Sequence, residues 1–212
     1  MAPAVVLVDL HGSIVTAARG WAGIETLAWT DVRDVPAGPG TAFVSPANSL
    51  GFMDGGIDFV LSRFMFPGVE ASVKAAFARE GARTLLGRPY LPIGRAVVVP
   101  THREGVSLVA APTMCLPQDV RGTHNAYHAT YAALEAASHA GVRRLVFPGM
   151  CTGCGMLAPD EAVGQMAAAH AHFVAGRPPL YGMGEIADEQ PLWYENSEFK
   201  AVEAACILLH HG

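Results

Sequence analysis

The chain has 212 residues, of which 51% are hydrophobic and 16% charged, a composition typical of one folded domain and not of a disordered chain. The formal net charge is −5, and no basic run is longer than Arg143-Arg144, which argues against stable nucleic-acid binding. No apolar stretch reaches the roughly 18 residues that indicate a membrane span. Four cysteines in a chain of this length indicate a reduced, cytoplasmic setting rather than a disulfide scaffold.

The first half of the chain alternates predicted strands and helices. Residues 4–10 form a continuous apolar run without a basic segment or a cleavage site, which predicts a buried strand rather than a signal peptide. The predicted elements that follow are a helix at 13–19, strands at 24–29 and 41–44, and helices at 59–66 and 69–80. Gly81 is the expected stop of the last of these helices.

The second half continues the alternation. The predicted elements are strands at 95–100 and 107–111, a helix at 123–139, a strand at 144–148 and a helix from 159 to about 174. Thr123 can cap the helix at 123–139, and Gly141 can end it. Strand, loop and helix in repetition predict an α/β protein with a buried, mostly parallel sheet. We expect a single domain over 1–212, with its core at about 4–175 and an extension at 176–212 that holds a long irregular loop and a final helix at 199–209.

Two glycine-rich loops follow predicted buried strands. The first covers residues 48–58 and the second covers residues 149–156. Glycine lets the backbone approach a ligand and direct successive N–H groups into one concavity, and each loop leads toward a helix. Two such loops predict a diphosphate held from both sides without lysine or arginine. Neither loop is a P-loop or a G-x-G-x-x-G motif, so two tight turns in an ordinary α/β protein are the alternative.

At these residues the chain resembles the macrodomain family of ADP-ribose-binding modules. The family's Asn-Ala-Ala-Asn segment corresponds to Ser45-Pro46-Ala47-Asn48, and its Gly-Gly-Val-Asp corresponds to Gly55-Gly56-Ile57-Asp58. The family's second loop is matched at residues 147–155, and its Gly-Asp-Ile segment is matched by Thr30-Asp31-Val32. The amino-acid sequence of residues 45–58 is most similar to a phage-tail-like branch of this family. The resemblance implies a three-layer α/β/α fold with a mixed, mostly parallel central sheet.

The resemblance also implies a binding map for ADP-ribose. Asp31 would accept from the adenine amino group beside the backbone of Val32, and Asn48 would contact the distal ribose. The diphosphate would lie between the two loops. The loop residues implied are Asp54, Gly55, Gly56 and Ile57 from the first loop and Cys151, Thr152, Gly153, Cys154, Gly155 and Met156 from the second. The alternatives are a turn residue for Asp31, an Asx turn for Asn48 and a loop-holding role for Asp54.

The catalytic candidates implied by the resemblance are Asp58 and Asn48. In one hydrolase branch the aspartate after Gly-Gly-Val is important for catalysis, and Asp58 matches it. Its carboxylate could orient or deprotonate a water that attacks the distal ribose C1″. The lysine and aspartate of a second branch are replaced by Ser62 or Arg63 and by Leu157, and the paired glutamates of poly-ADP-ribose hydrolases are missing from residues 48–58. The alternative for Asp58 is a carboxylate favoured by a helix N-terminus.

The Cys151-x-x-Cys154 pair admits a zinc, a redox or a simple loop-packing interpretation. A second cysteine or histidine pair at ligand spacing is missing, and His124 and His128 are expected in the core or at the surface, so we expect no metal and no cofactor. Oxidation of the cysteine pair is expected to block ligand binding.

The function predicted is a mono-ADP-ribosyl hydrolase whose partner is ADP-ribose or an ADP-ribosylated macromolecule. The alternatives are a non-catalytic reader of ADP-ribose, a scaffold that has lost the ligand, and a phosphatase acting on ADP-ribose 1″-phosphate. The linkage cleaved and the oligomeric state are left open by the sequence.

Overall fold

The computed structural model describes residues 2–179, so the predicted helix at 199–209 lies outside the described residues. In chain order the elements are β1 (Ala4–Asp9), α1 (Ser13–Ala17), β2 (Glu25–Ala28), β3 (Thr41–Ser45), α2 (Gly56–Phe59), α3 (Val69–Glu80), β4 (Ala82–Arg83), β5 (Pro89–Tyr90), β6 (Val97–Pro100), β7 (Val106–Ala110), α4 (Asn125–His139), β8 (Arg144–Phe147) and α5 (Pro159–Val174). A π-helical segment, Val60–Met65, continues α2 without a break. No helix among residues 2–179 is long and apolar enough to cross a membrane.

The central sheet has six strands in the order β2-β1-β8-β3-β7-β6. All neighbouring pairs run parallel except β6 and β7, which are antiparallel. The short strands β4 and β5 form a separate antiparallel pair that the sequence did not predict. The predicted mixed, mostly parallel sheet is therefore confirmed.

Alternation along the buried strands builds two cores, one on each face of the sheet. Val5 and Leu7 of β1 pack into a core with α1, α4 and α5, whereas Val6 and Val8 pack into a second core with α3 and the π-helical segment. Successive side chains of a strand point to opposite faces, so a strand buried on both sides has to be apolar throughout. Helices on both faces of the sheet confirm the predicted three-layer α/β/α fold.

Most helix and strand positions follow the prediction, with two local differences. The helix after the first glycine-rich loop begins at Gly56 rather than at residue 59. Helix α4 begins at Asn125, and its N-cap residue is His124, not Thr123 as predicted. The Thr123 hydroxyl donates to the Val120 carbonyl at 2.7 Å and accepts from the Asn125 N–H at 3.4 Å, so Thr123 contacts the helix start from one residue before the cap position. Gly141 follows the end of α4 with φ +72°, which fits its predicted role as a helix stop.

The parallel strands β1, β8, β3 and β7 are adjacent in the centre of the sheet, so their carboxyl ends meet at one edge. These strands end at Asp9, Phe147, Ser45 and Ala110, respectively. Ligands of open α/β sheets bind beyond this edge. Both glycine-rich loops leave from it.

Candidate functional site

A cleft of about 630 Å³ lies at this edge, lined by the loops that follow β1, β3, β7 and β8. Thirteen of the fourteen predicted site residues line it: Asp31, Val32, Asn48, Asp54, Gly55, Gly56, Ile57, Asp58, Cys151, Thr152, Gly153, Cys154 and Gly155. The structure thus brings both glycine-rich loops and the Thr30-Asp31-Val32 segment to one cavity.

Met156 is the predicted site residue that the structure does not bring to the cleft. Its backbone is left-handed, with φ +60°, and its side chain is 57% exposed. Leu157 is buried and lines the cleft in its place. The local chain reversal is held by hydrogen bonds from the Met156 N–H to the Gly153 carbonyl and from the Leu157 N–H to the Cys151 carbonyl.

Asn48 organises the first glycine-rich loop. Its side-chain oxygen accepts from the N–H groups of Leu50 and Phe52 at 3.1 and 3.2 Å, and its amide nitrogen donates to the Phe52 carbonyl at 2.8 Å. Asn48 therefore makes the Asx turn that the sequence left as an alternative. The amide group has two N–H bonds, of which one is used in the hydrogen bond to Phe52.

Asp58 lies in the first turn of α2, at the inner wall of the cleft, with 7% of its surface exposed. One carboxylate oxygen accepts a hydrogen bond from the Ser45 hydroxyl at 2.6 Å. Burial raises the pKa of Asp58 to about 7; the Ser45 hydrogen bond opposes the rise, and the charge of Asp54 adds to it. An acid with this pKa is present in both protonation states near neutrality, as a general acid or base requires.

Asp31 caps the short 3₁₀ turn at Val32–Asp34 and forms an ion pair with Arg33. The Arg33 side chain donates to both carboxylate oxygens at 3.0 and 2.6 Å, and the Arg33 N–H donates at 2.9 Å. These hydrogen bonds lower the pKa of Asp31. The carboxylate is therefore ionised at the cleft wall, as acceptance from an amino group would require.

The second glycine-rich loop is built around Cys151, which is buried and left-handed, with φ +64°. Burial raises the pKa of the Cys151 thiol to about 12, although a hydrogen bond with Thr113 opposes this rise. Cys154 is exposed, and both thiols are free. A side chain at Gly155 would meet the Cys151 carbonyl at 2.5 Å, so the loop can close only around a glycine there.

Two cleft residues that the sequence analysis missed hold the loops together. Asp9, at the end of β1, accepts from the N–H groups of His11 and Ile14 at 3.0 and 2.7 Å and so fixes the loop before α1. The Thr113 hydroxyl lies within hydrogen-bond distance of the Pro46 carbonyl at 3.2 Å, which ties the loop after β7 to the first glycine-rich loop. A polar residue directly after a buried strand was the available signal for Asp9.

The cleft lining among residues 2–179 contains no lysine or arginine. The available donors are backbone N–H groups of the glycine-rich loops that line it. The N–H groups of Gly55, Gly56 and Ile57 belong to the first turn of α2, where a helix offers them no internal acceptor. In the second loop, the described part of the chain provides no hydrogen-bond acceptor for the N–H groups of Gly153 and Cys154. The cleft therefore offers main-chain donors from two sides.

Comparison with known proteins places this architecture in a family. Residues 44–166, more than half of the chain, match the family model described as Macro domain. An uncharacterised protein of Aeropyrum pernix is 35% identical over 145 residues, which cover 66% of this chain and 68% of that protein. An uncharacterised protein of Aquifex aeolicus is 30% identical over 124 residues, covering 58% and 68%.

Solved structures share the fold at lower identity. The macrodomain of Mycobacterium tuberculosis DarG superposes with a TM-score of 0.54 at 18% identity, over 68% of this chain and 88% of that one. The Oceanobacillus iheyensis macrodomain with ADP gives a TM-score of 0.52 at 14% identity, over 77% and 85%. A mutant of the same macrodomain, with ADPR, gives 0.52 at 14%, over 76% and 86%. Sequence match and fold agree, and the chain belongs to the macrodomain family.

Proposed function

We propose that this protein binds ADP-ribose in the cleft and hydrolyses mono-ADP-ribose from a modified macromolecule, with Asp58 assisting the attack of water at C1″ of the distal ribose. The observation that carries the proposal is that a carboxylate with a pKa of about 7, Asp58, lines the cleft together with two loops that supply main-chain donors. Macrodomain relatives have been solved with ADP and with ADPR, which supports the choice of ligand.

Binding of the diphosphate would use the backbone rather than cationic side chains. A Cβ atom added at Gly55 or at Gly153 would meet nothing within 4 Å, so open space lies against the backbone on both sides of the cleft. A phosphate can approach N–H groups closely only where such space exists. The Arg33 guanidinium forms an ion pair with Asp31, which offsets the repulsion between that carboxylate and an anion.

We assign the adenine to Asp31 and the distal ribose to Asp58, as the family resemblance implies; both residues line the cleft. In the reaction that we propose, the ionised Asp58 takes a proton from water as the water oxygen bonds to C1″. The bond from C1″ to the modified group breaks in the same step with its electron pair, and the leaving group takes up the proton that Asp58 received. General-base assistance of this kind contributes about 10²–10⁴ in rate.

A non-catalytic reader is the second candidate, and one observation favours it. The Asn48 side chain already makes three hydrogen bonds within its own loop, and only 7% of Asp58 is exposed. Both residues would then serve to build the cleft rather than to act on a substrate. A reader binds ADP-ribose without turnover, which separates it from the hydrolase.

The first test is calorimetric titration of ADP-ribose into the protein, with AMP and NAD as controls. Micromolar affinity corresponds to about −8 kcal/mol. No heat at millimolar ADP-ribose would contradict both the hydrolase and the reader, and would leave the scaffold interpretation.

The second test is release of ADP-ribose from a mono-ADP-ribosylated protein. Asp58→Asn should keep ADP-ribose binding and lose turnover by about 10²-fold or more. Asp119→Asn, which removes an exposed carboxylate that does not line the cleft, is the control for a lost charge and should keep turnover. Turnover unchanged in Asp58→Asn would refute the role given to this carboxylate, and binding without turnover in the wild type would establish the reader.

A further inference from the structure

We infer that Ser45 is a positioning residue for the hydrolysis proposed above: its hydroxyl holds one carboxylate oxygen of Asp58 so that the other oxygen is turned to the attacking water. The inference rests on the proposed function, because it assigns Ser45 a part in that reaction.

Ser45 is held by the sheet. It is the last residue of β3, its exposure is 0%, and its carbonyl accepts from the Ala111 N–H at 3.1 Å. Its backbone pairs with Ala110 of β7 in the parallel register. The hydroxyl therefore starts from one of the most constrained points of the molecule.

Asp58 is held less firmly. It lies on the short helix α2, at the end of a thirteen-residue excursion from β3. The 2.6 Å hydrogen bond from the Ser45 Oγ to the Asp58 Oδ1 spans this excursion and ties the helix start to the sheet. Among residues 2–179, Ser45 is the sole hydrogen-bond partner of the Asp58 carboxylate, so Oδ2 keeps its acceptor capacity for the cleft.

This arrangement divides the carboxylate between two tasks. Oδ1 is held by a donor whose backbone is fixed in the sheet, and Oδ2 can receive the proton when water attacks C1″. Without the hydroxyl, rotation about the Asp58 side chain would cost little, and the fraction of productive orientations would fall.

The same hydrogen bond adjusts the charge state of Asp58. Burial and the neighbouring Asp54 raise the pKa of Asp58, and the Ser45 hydroxyl lowers it by donating to the ionised form. Removing the hydroxyl should therefore raise this pKa further. If the rise is about one unit, the ionised fraction below the pKa falls about tenfold.

A nearby serine provides a matched control. Ser62, in the π-helical segment, is also buried, and its hydroxyl donates to the Met53 carbonyl at 2.8 Å. It holds the same loop without touching a carboxylate. A merely structural role for Ser45 predicts that Ser45→Ala and Ser62→Ala behave alike.

The experiment compares wild type, Ser45→Ala, Ser45→Thr and Ser62→Ala in two measurements. One is the pH dependence of kcat/KM, which reports ionisations of the free enzyme, for release of ADP-ribose from a mono-ADP-ribosylated protein. The other is titration of the Asp58 carboxyl carbon by NMR in the unliganded protein, assigned with Asp58→Asn. We expect Ser45→Ala to move the acid limb and the carboxyl titration upward together, by about one pH unit. Ser45→Thr should restore both, and Ser62→Ala should move neither.

Two failures are distinct. A wild type that binds ADP-ribose but releases none from the modified protein overturns the proposed hydrolysis and the role of Ser45 in it. Turnover in the wild type, with a pH profile and a carboxyl titration that Ser45→Ala leaves in place, overturns the inference about Ser45 alone.

Discussion

The Asp58 carboxylate receives a 2.6 Å hydrogen bond from the Ser45 hydroxyl while 7% of Asp58 is exposed. A hydrogen bond from one neutral donor does not offset the free-energy cost of removing the carboxylate charge from water. The pKa of Asp58 therefore rises to about 7. The cleft thus contains a group whose ionisation works against folding.

The first prediction concerns the pH dependence of stability. The folded protein keeps a proton on Asp58 between about pH 4 and 7, whereas the unfolded chain releases it, so this group lowers the free energy of unfolding as the pH rises through that window. Asp58→Asn keeps an acceptor for Ser45 and carries no charge. At pH 8 it should be more stable than the wild type, by on the order of 3 kcal/mol.

Urea unfolding of both proteins at pH 4.5 and pH 8 checks this prediction. The free energies of unfolding of the two proteins should be similar at pH 4.5 and should differ at pH 8. A gap that is the same at both pH values would show that the ionisation of Asp58 is not its source.

The second prediction concerns His128, buried in α4. Burial lowers its pKa to about 4, so the folded protein keeps it neutral while the unfolded chain takes up a proton below about pH 6.5. The contribution of His128 to stability is therefore fully present above pH 6.5 and is lost as the pH falls toward 4. When the pH is lowered from 7.5 to 4.5, the free energy of unfolding of His128→Gln should fall by less than that of the wild type.

His139, exposed at the end of the same helix, gives the matched control, and His139→Gln should keep the wild-type acid sensitivity. The Asp58 and His128 effects have opposite signs between about pH 4 and 6.5, so each is seen only as a difference between wild type and variant. Equal acid sensitivity in His128→Gln and wild type would be evidence against a neutral, buried His128.

The third prediction separates the two cysteines of the second loop. Cys154 is exposed and lines the cleft, whereas Cys151 is buried and its pKa is raised to about 12. Because the thiolate is the reactive form, iodoacetamide should modify Cys154 and spare Cys151. ADP-ribose should slow the modification of Cys154.

Peptide mapping by mass spectrometry reads each cysteine separately, and AMP, which lacks the second phosphate and the distal ribose, is the control ligand at the same concentration. Modification of Cys151 at the rate of Cys154 would contradict the burial of its thiol. The earlier expectation that oxidation blocks binding stays a prediction, and calorimetric titration of ADP-ribose after treatment with a disulfide-forming oxidant tests it.

The fourth prediction contrasts two glycines of that loop. A Cβ atom at Gly155 would lie 2.5 Å from the Cys151 carbonyl and 2.9 Å from a Val120 methyl group, whereas at Gly153 it would meet nothing within 4 Å. Gly155→Ala should therefore lower the free energy of unfolding by about 1–3 kcal/mol. Gly153→Ala should leave it unchanged.

Gly153→Ala should still weaken ADP-ribose binding, by about tenfold, because the new methyl group occupies the space through which a phosphate approaches the backbone. Thermal unfolding and calorimetry measure the two effects. Full affinity in Gly153→Ala would place the diphosphate away from this loop.

The parts of the molecule that could be predicted are those marked in the sequence by runs of apolar residues or by clusters of glycine. The apolar runs at 4–10 and 144–148 became β1 and β8 because strands buried on both faces need apolar residues at every position. The glycine-rich loops were found because glycine concentrates where backbone has to turn closely or approach a ligand. Together they located the cleft.

Other features arise from contacts that sequence does not display. The Ser45 hydroxyl meets Asp58 only once a thirteen-residue excursion has folded back, and a serine at the end of a strand looks ordinary in one dimension. Met156 turned away because its backbone is left-handed, a conformation that residue type alone does not favour. The antiparallel direction of β6 is likewise invisible in its composition.

The main-chain donors around the cleft have a consequence for how this site tolerates change. Every residue type except proline carries the same backbone N–H group. The candidate anion contacts therefore depend on the backbone torsion angles of the two loops and not on the identity of their side chains. Substitutions that respect those torsions would leave the donors in place, even where the chemistry of the lining changes. Side chains around the cleft could therefore change during evolution to suit new modified partners, while the main-chain contacts to the diphosphate stayed the same.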